Sequence, residues 1–155
     1  MAKNIHLNDS HLSAGIYIDP KKPESSIPFD SGTNRSGNIS ITATGNISLE
    51  NNSLINALSS EENAGNITIK GGNILRLSDE SRIITAVNLG SEKGGDIFID
   101  TSILAVNDSF ITSKAVEGAG GDITILSHLF LSPLSSITAS SKFKYTGEIK
   151  PKTRR

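Results

Sequence analysis

The chain contains 155 residues, of which 35% are hydrophobic, and its 15 basic and 16 acidic residues give a formal net charge of −1. This composition is that of an ordinary folded domain, and the near-zero charge provides no electrostatic footprint for binding nucleic acid or an anionic membrane. There is no cysteine, which excludes disulfides and cysteine-ligated zinc. We therefore expect no nucleic-acid partner and no cofactor.

The amino-terminal residues lack the apolar run of a signal peptide, because Lys3, Asp9 and Asp19 interrupt it. Apolar and polar side chains instead alternate in Ile5-His6-Leu7 and, after a polar turn, in Leu12-Ser13-Ala14. Alternation with a period of two, bounded by Asn, Asp and Ser, predicts short strands. We therefore expect one strand at each place, in a chain that forms part of a longer exported precursor.

The Pro-rich segment from residue 15 to residue 36 interrupts this alternating pattern. Later units are joined by 8 or 9 residues, whereas the distance from Ala14 to Gly37 is 23 residues. An insertion of this size between two strands of a repeat belongs outside the repeated core. We predict that residues 15–36 form a protruding loop or a partial cap.

A motif of the form Gly-Asn/Asp-Ile-x-Ile then recurs along the chain. Its glycines are separated by 28, 30, 26 and 26 residues, a period that is typical of stacked structural units. Between successive copies lies a second motif, which consists of apolar-x-apolar, a polar turn ending in Ser, and apolar-x-small. The copies of the glycine motif begin at Gly37, Gly65, Gly95, Gly121 and, in a weaker form, Gly147.

Each unit thus contains three short strands, none of which can bury its apolar face alone. Stacking the units predicts an all-β fold, a right-handed parallel β-helix (β-solenoid) of about four to five rungs with 26–30 residues per rung, since parallel crossovers are right-handed. Each motif glycine would lie at a turn that requires positive φ or close backbone approach. The predicted internal ladder comprises Ile39, Ile67, Ile97 and Ile123, and the glycines beside it are Gly37, Gly65, Gly95 and Gly121.

The repeat pattern fades near the carboxyl terminus. We predict that the β-helical domain covers residues 1–149, where the last Gly-x-Ile motif ends. The remaining residues, 150–155, read Lys-Pro-Lys-Thr-Arg-Arg. Such a short basic segment predicts a disordered tail.

Two acids of the glycine motif are candidates for chemistry. Asp96 and Asp122 would lie one rung apart, near the spacing at which two carboxylates bind a cation or perform acid–base catalysis. We favour a structural interpretation, because Asn and Asp side chains after a turn glycine commonly bond to local backbone. His6 and His11 have no clear third ligand, so we assign no metal site, and no nucleophile motif predicts a catalytic residue.

The repeated Gly-Asn/Asp-Ile-x-Ile strand, the Ser-x-Ile-Thr-Ala strand and the sequence Leu-Phe-Leu-Ser-Pro-Leu-Ser-Ser-Ile-Thr-Ala-Ser-Ser at residues 129–141 resemble one known group of proteins. These are the filamentous haemagglutinin-like exoproteins of Gram-negative bacteria, and the resemblance extends over residues 4–149. It implies a right-handed parallel β-helix that is secreted by the two-partner route. It also implies display at the cell surface and a role in adhesion.

For this chain, the resemblance implies a structural and binding segment of an extracellular adhesin, without catalysis. The implied partners are a carbohydrate or protein receptor on a host cell or surface, an outer-membrane two-partner transporter for the full-length protein, and a second copy through the open solenoid ends. The candidate contact residues are Ile27, Phe29 and Phe98, beside Ser40, Thr68 and Thr124 on the strand faces.

Two alternatives to this function remain open. The β-helix fold also hosts lyases and hydrolases that act on polysaccharides, and a fold alone does not decide between an enzyme and a binding protein. The second alternative is an inactive, truncated remnant of a longer exoprotein.

Overall fold

The computed structural model describes residues 2–15, 36–60, 62–89, 91–141 and 147–153. Within these ranges the regular structure is entirely β, and the strands stack as a parallel β-solenoid. No helix in the described part of the chain is long and apolar enough to cross a membrane. The predicted all-β, parallel β-helix class is confirmed.

Three five-stranded parallel sheets are formed by the described residues, and each sheet takes every third strand of the chain. Sheet 1 contains β1 (Ile5–Asn8), β4 (Ile47–Glu50), β7 (Ile74–Leu77), β10 (Ile103–Val106) and β13 (Leu129–Leu131). Sheet 2 contains β2 (His11–Gly15), β5 (Leu54–Ser59), β8 (Arg82–Val87), β11 (Phe110–Ala115) and β14 (Ser136–Ser141). Sheet 3 contains β3 (Ile39–Ala43), β6 (Ile67–Gly71), β9 (Ile97–Asp100), β12 (Ile123–Ser127) and β15 (Ile149–Thr153).

One strand from each sheet makes one rung of the solenoid, and the described chain has five such rungs. Every strand pairs in parallel with the strand of the next rung, as in Ile67↔Ile97 and Ile97↔Ile123. The rung size of 26–30 residues that the glycine spacing predicts is confirmed for these rungs. The right-handed sense of the coil stays a prediction.

The core is a set of aliphatic columns that run through the middle of the solenoid. The isoleucines of the glycine motif are stacked in register, and Ile67, Ile97 and Ile123 are at most 1% exposed. Alternate residues point outward, because successive side chains of a strand lie on opposite faces. The ladder predicted from the sequence is therefore confirmed, and its burial supplies the main stabilising free energy of the fold.

The motif glycines form a second column, but the prediction of positive φ is wrong for them. Among the described glycines, positive φ occurs at Gly15 alone. The reason for glycine in the column is close approach, since a Cβ at Gly95 would overlap the carbonyl oxygen of Gly65. The same overlap recurs between Gly121 and Gly95, so the column packs backbone directly on backbone.

The corner between sheets 1 and 2 is held by stacked serines. Ser53 Oγ donates to the carbonyl oxygen of Glu50 in its own rung, at 2.7 Å, and accepts the backbone N–H of Ser10 from the preceding rung, at 3.3 Å. The residue before each of these serines has positive φ. Asp and Asn tolerate this conformation, which explains the polar residues at the turn, and Leu134 of the last rung is the apolar exception.

The prediction of a disordered tail beyond residue 149 is wrong for residues 150–153. These residues form β15, which pairs with β12 in the register Thr124↔Lys150 and Leu126↔Lys152. Ile123 donates its N–H to Glu148 O, so the alternation of the strand directs position 151 toward the free edge. Pro151 has no N–H, and it is therefore tolerated at this edge position.

Most of the predicted Pro-rich loop, residues 16–35, lies outside the described residues. At its two borders, Gly15 ends β2, and Ser36 Oγ donates a hydrogen bond to the carbonyl oxygen of Ala14. The hydrogen bond holds the two border residues together, so the chain leaves and re-enters the solenoid at one place.

Candidate contact surface

The outward face of sheet 3 is the most continuous lateral surface that combines an aromatic side chain with polar ones. Strand pairing places its central column in register across all five rungs. Phe98 lies in the middle of this column and is half-buried rather than fully exposed. The column comprises Ser40, Thr68, Phe98, Thr124 and Lys150.

A neighbouring column on the same face carries charge. Lys70 and Asp100 are Cα partners on adjacent strands, one on either side of the step from β6 to β9. Opposite charges at directly paired positions stabilise a sheet modestly. Further along, Leu126 and Lys152 are also Cα partners. The face around Phe98 thus offers an aromatic ring, hydroxyl groups and both signs of charge.

The Asn and Asp residues of the glycine motif form a hydrogen-bonded ladder at the border of this face. Asn66 Oδ1 accepts the backbone N–H of Asp96 at 2.8 Å, and Asp96 Oδ1 accepts that of Asp122 at 2.8 Å. The ladder begins at Asn38 and ends at Glu148. The sequence analysis correctly favoured backbone binding, but the bond crosses to the next rung and is not local.

The two candidate acids are therefore already engaged. Asp96 Oδ1 also accepts from Lys93 Nζ at 2.8 Å, and Asp122 Oδ2 accepts from Lys150 Nζ at 3.1 Å. Lys150 lies within 3.0 Å of Glu148 as well. Each of these carboxylates thus has a structural role, which fixes the backbone of the next rung and one lysine.

The pKa of Asp122 is lowered by these contacts. The largest cause is the backbone N–H that Glu148 donates to the carboxylate, followed by the hydrogen bond from Lys150. In turn, Glu148 and then Asp122 raise the pKa of Lys150. Both shifts favour the charged pair, so this end of the ladder has a stabilising ion pair at neutral pH.

We expect the Asp122 contact to make the chain less stable in acid. A carboxylate with a lowered folded-state pKa contributes stability above its ordinary value of 3.8, and that stability is lost as the pH falls through the folded-state pKa. In an Asp122→Asn variant, the urea midpoint should therefore fall less between pH 7 and pH 3 than in the unmodified chain. A Lys150→Met variant should retain part of the dependence, because the Glu148 amide remains. An equal fall in the chain and in Asp122→Asn would contradict this prediction.

The other candidate residues are not brought together. Ile27 and Phe29 lie outside the described residues. His6 Nδ1 is 2.6 Å from Ser48 Oγ on the outward face of sheet 1, whereas His11 is in sheet 2. Among the described residues there is no cluster of three His, Asp or Glu side chains that could hold a metal ion.

Two further features escape the sequence reasoning. Asn56, in the middle of β5, is fully buried, and neither its Oδ1 nor its Nδ2 has a hydrogen-bond partner in the structure. Leu129, Phe130 and Leu131 in β13 are all exposed. The apolar triplet Leu-Phe-Leu could have signalled this second feature, since a run of that kind on a terminal strand has no following rung to cover it.

Comparisons with protein-family models, with curated proteins and with solved structures found no match to this chain. The fold thus stands on the structure itself. The resemblance to filamentous haemagglutinin-like exoproteins rests on the repeat motifs alone.

Proposed function

We propose that the chain is a structural and binding segment of a secreted bacterial surface adhesin of the filamentous haemagglutinin-like type. The segment acts without catalysis. It forms part of the extracellular shaft of a longer protein, which an outer-membrane two-partner transporter exports. Its partner is a carbohydrate or protein receptor on a host cell or another surface.

The observation that carries this proposal is the continuous outward face of sheet 3. A solenoid holds such a face rigid, because each rung is fixed by the two beside it. Phe98 supplies an aromatic surface of the kind that dominates the free energy of many interfaces. The surrounding Thr68 and Thr124 hydroxyls suit a polar ligand.

The engagement of the acids favours this proposal over a polysaccharide-active enzyme. A glycosidase-type site needs two carboxyl groups that are available to the substrate, one of them to donate a proton. Asp96 and Asp122 are instead occupied by backbone amides and lysines. If the enzyme alternative held, the chain would release reducing ends from neutral or acidic polysaccharides, and an Asp96→Asn, Asp122→Asn double variant would not.

The test is adhesion of beads coated with the chain to cultured epithelial cells. We expect a Phe98→Ala variant to lower the number of retained beads about tenfold, the loss typical of one aromatic anchor. A Phe110→Ala variant is the matched control, because Phe110 points outward on sheet 2 and is 37% exposed. Retention of the unmodified chain at the level of albumin-coated beads would contradict the proposal, and so would equal losses in both variants.

A further inference from the structure

The two ends of the solenoid expose side chains that belong to the core columns. At the carboxyl-terminal end, Phe130 and Ile149 occupy inward positions of sheets 1 and 3 but are 39% and 44% exposed. Their partners one rung earlier, Leu104 and Ile123, are fully buried. The exposure therefore results from the missing rung above them and not from the direction of the side chains.

The amino-terminal end has the matching columns. Ile5 is the first member of the sheet 1 column that ends at Phe130, through Ile47, Leu75 and Leu104. Ile5 is half-buried, and in sheet 2 the inward Leu12 is 40% exposed. Both ends thus present an incomplete apolar layer of the same three-sided pattern.

The backbone edges are complementary as well. Within the chain, each rung donates N–H groups to the carbonyl oxygens of the next rung, as Ile39 does to Asn66 and Ile123 does to Glu148. The last rung consequently ends in an edge that can donate to a following rung, and the first rung ends in an edge that can accept. Unpaired strand edges of this kind are templates for pairing with another chain.

We propose that the carboxyl-terminal end of one copy of this chain stacks on the amino-terminal end of a second copy, in the register of the repeat. In this contact β13 pairs with β1, β14 with β2 and β15 with β3. The contact continues the four rung-to-rung interfaces that already exist inside the chain, which is why a second copy fits the exposed ends. Because the two surfaces differ and the contact does not close on itself, further copies add to the row.

The three sheets contribute unequally to this contact. Pro151 lacks the N–H that would cross to Ser40 of the next copy, so the pairing of β15 with β3 loses one hydrogen bond. Sheet 1 has no such interruption, and the exposed Leu129, Phe130 and Leu131 lie there. The stacking is therefore carried mainly by sheet 1. This inference goes beyond the proposed function, since it concerns the ends and requires no receptor.

The register can be tested directly because the chain has no cysteine. His6 and Leu131 are the first and last members of one outward column, which runs through Ser48, Arg76 and Ala105. Within one chain they are four rung steps apart, about 19 Å at the usual strand spacing, and cannot be bridged. Between stacked copies they become direct neighbours. A His6→Cys, Leu131→Cys variant should thus form disulfide-linked multimers under mild oxidation.

The matched control is a His6→Cys, Leu129→Cys variant, in which the second cysteine lies two residues out of register. We expect the in-register pair to form multimers at least tenfold faster than this control. Equal rates in the two variants would overturn the proposed register, because they would indicate random collision.

Sedimentation velocity tests the apolar contact without any cysteine. A Phe130→Lys variant should lose the concentration-dependent association of the unmodified chain, whereas Phe110→Lys, at nearly the same exposure but on a lateral face, should retain it. Circular dichroism checks that both variants keep their β structure. A chain that stays monomeric at millimolar concentration overturns the proposal, and so does an association that Phe110→Lys abolishes and Phe130→Lys does not. Neither result depends on adhesion to cells.

Discussion

An Ile97→Lys variant is expected to fail to fold at neutral pH. Ile97 is 1% exposed, and Ile67 and Ile123 pair with it from the rungs on either side. Truncating a buried isoleucine alone costs about 2–5 kcal/mol, and an unpaired ammonium group in the same place costs more. Because a domain of this kind is stable by only about 5–15 kcal/mol, the loss removes most or all of its stability. Urea unfolding followed by circular dichroism measures it.

The control for this variant is Phe98→Lys, one residue further along β9. Phe98 points outward and is half-buried, so a lysine there keeps its ammonium group in water. We expect it to cost about 1 kcal/mol or less, as exposed substitutions usually do. An Ile97→Lys chain that melts like the unmodified one would mean that the isoleucine column does not exist.

The second large effect is expected at Gly95, where replacement by alanine should cost at least about 3 kcal/mol, since overpacking without room to relax is strongly destabilising. A Cβ at Gly95 would overlap the carbonyl oxygen of Gly65, which is backbone and cannot rotate away. Gly95 O also accepts hydrogen bonds from Thr85 Oγ1 at 2.7 Å and Ser113 Oγ at 2.8 Å. Moving Gly95 aside would therefore break buried hydrogen bonds as well. The urea midpoint and its slope measure the loss.

Gly37→Ala is the matched control, because Gly37 belongs to the same motif but lies in the first rung. A Cβ there meets the Cβ of Ala14 at 3.7 Å, an ordinary van der Waals contact. We expect Gly37→Ala to be neutral or to stabilise the chain by up to about 1 kcal/mol, since alanine reduces the entropy of the unfolded chain. Equal destabilisation by Gly37→Ala and Gly95→Ala would show that the motif glycine serves its turn and not the contact between rungs.

The amino-acid sequence by itself determined the class of fold and the identity of its columns. The Ile-x-Ile pairs recur with a nearly constant period, and residues at equivalent positions of a repeat must stack if the units stack. Ile67, Ile97 and Ile123 could therefore be placed in one buried ladder from their spacing alone. The position of Phe98 on the outward face followed in the same way, because it alternates with two isoleucines.

The tertiary structure alone decided what the glycines and the polar residues beside them contact. Gly95 is close to Gly65, and Asp96 binds the amide of Asp122, across steps of 30 and 26 residues. A local reading assigned both residues to their own turn, since propensities describe a residue in its own segment. Residues 150–153 were misread for the same reason, because β15 exists through its pairing with β12. The strands and their facing can be read locally, whereas every contact between rungs depends on how closely the backbone of one rung approaches the next.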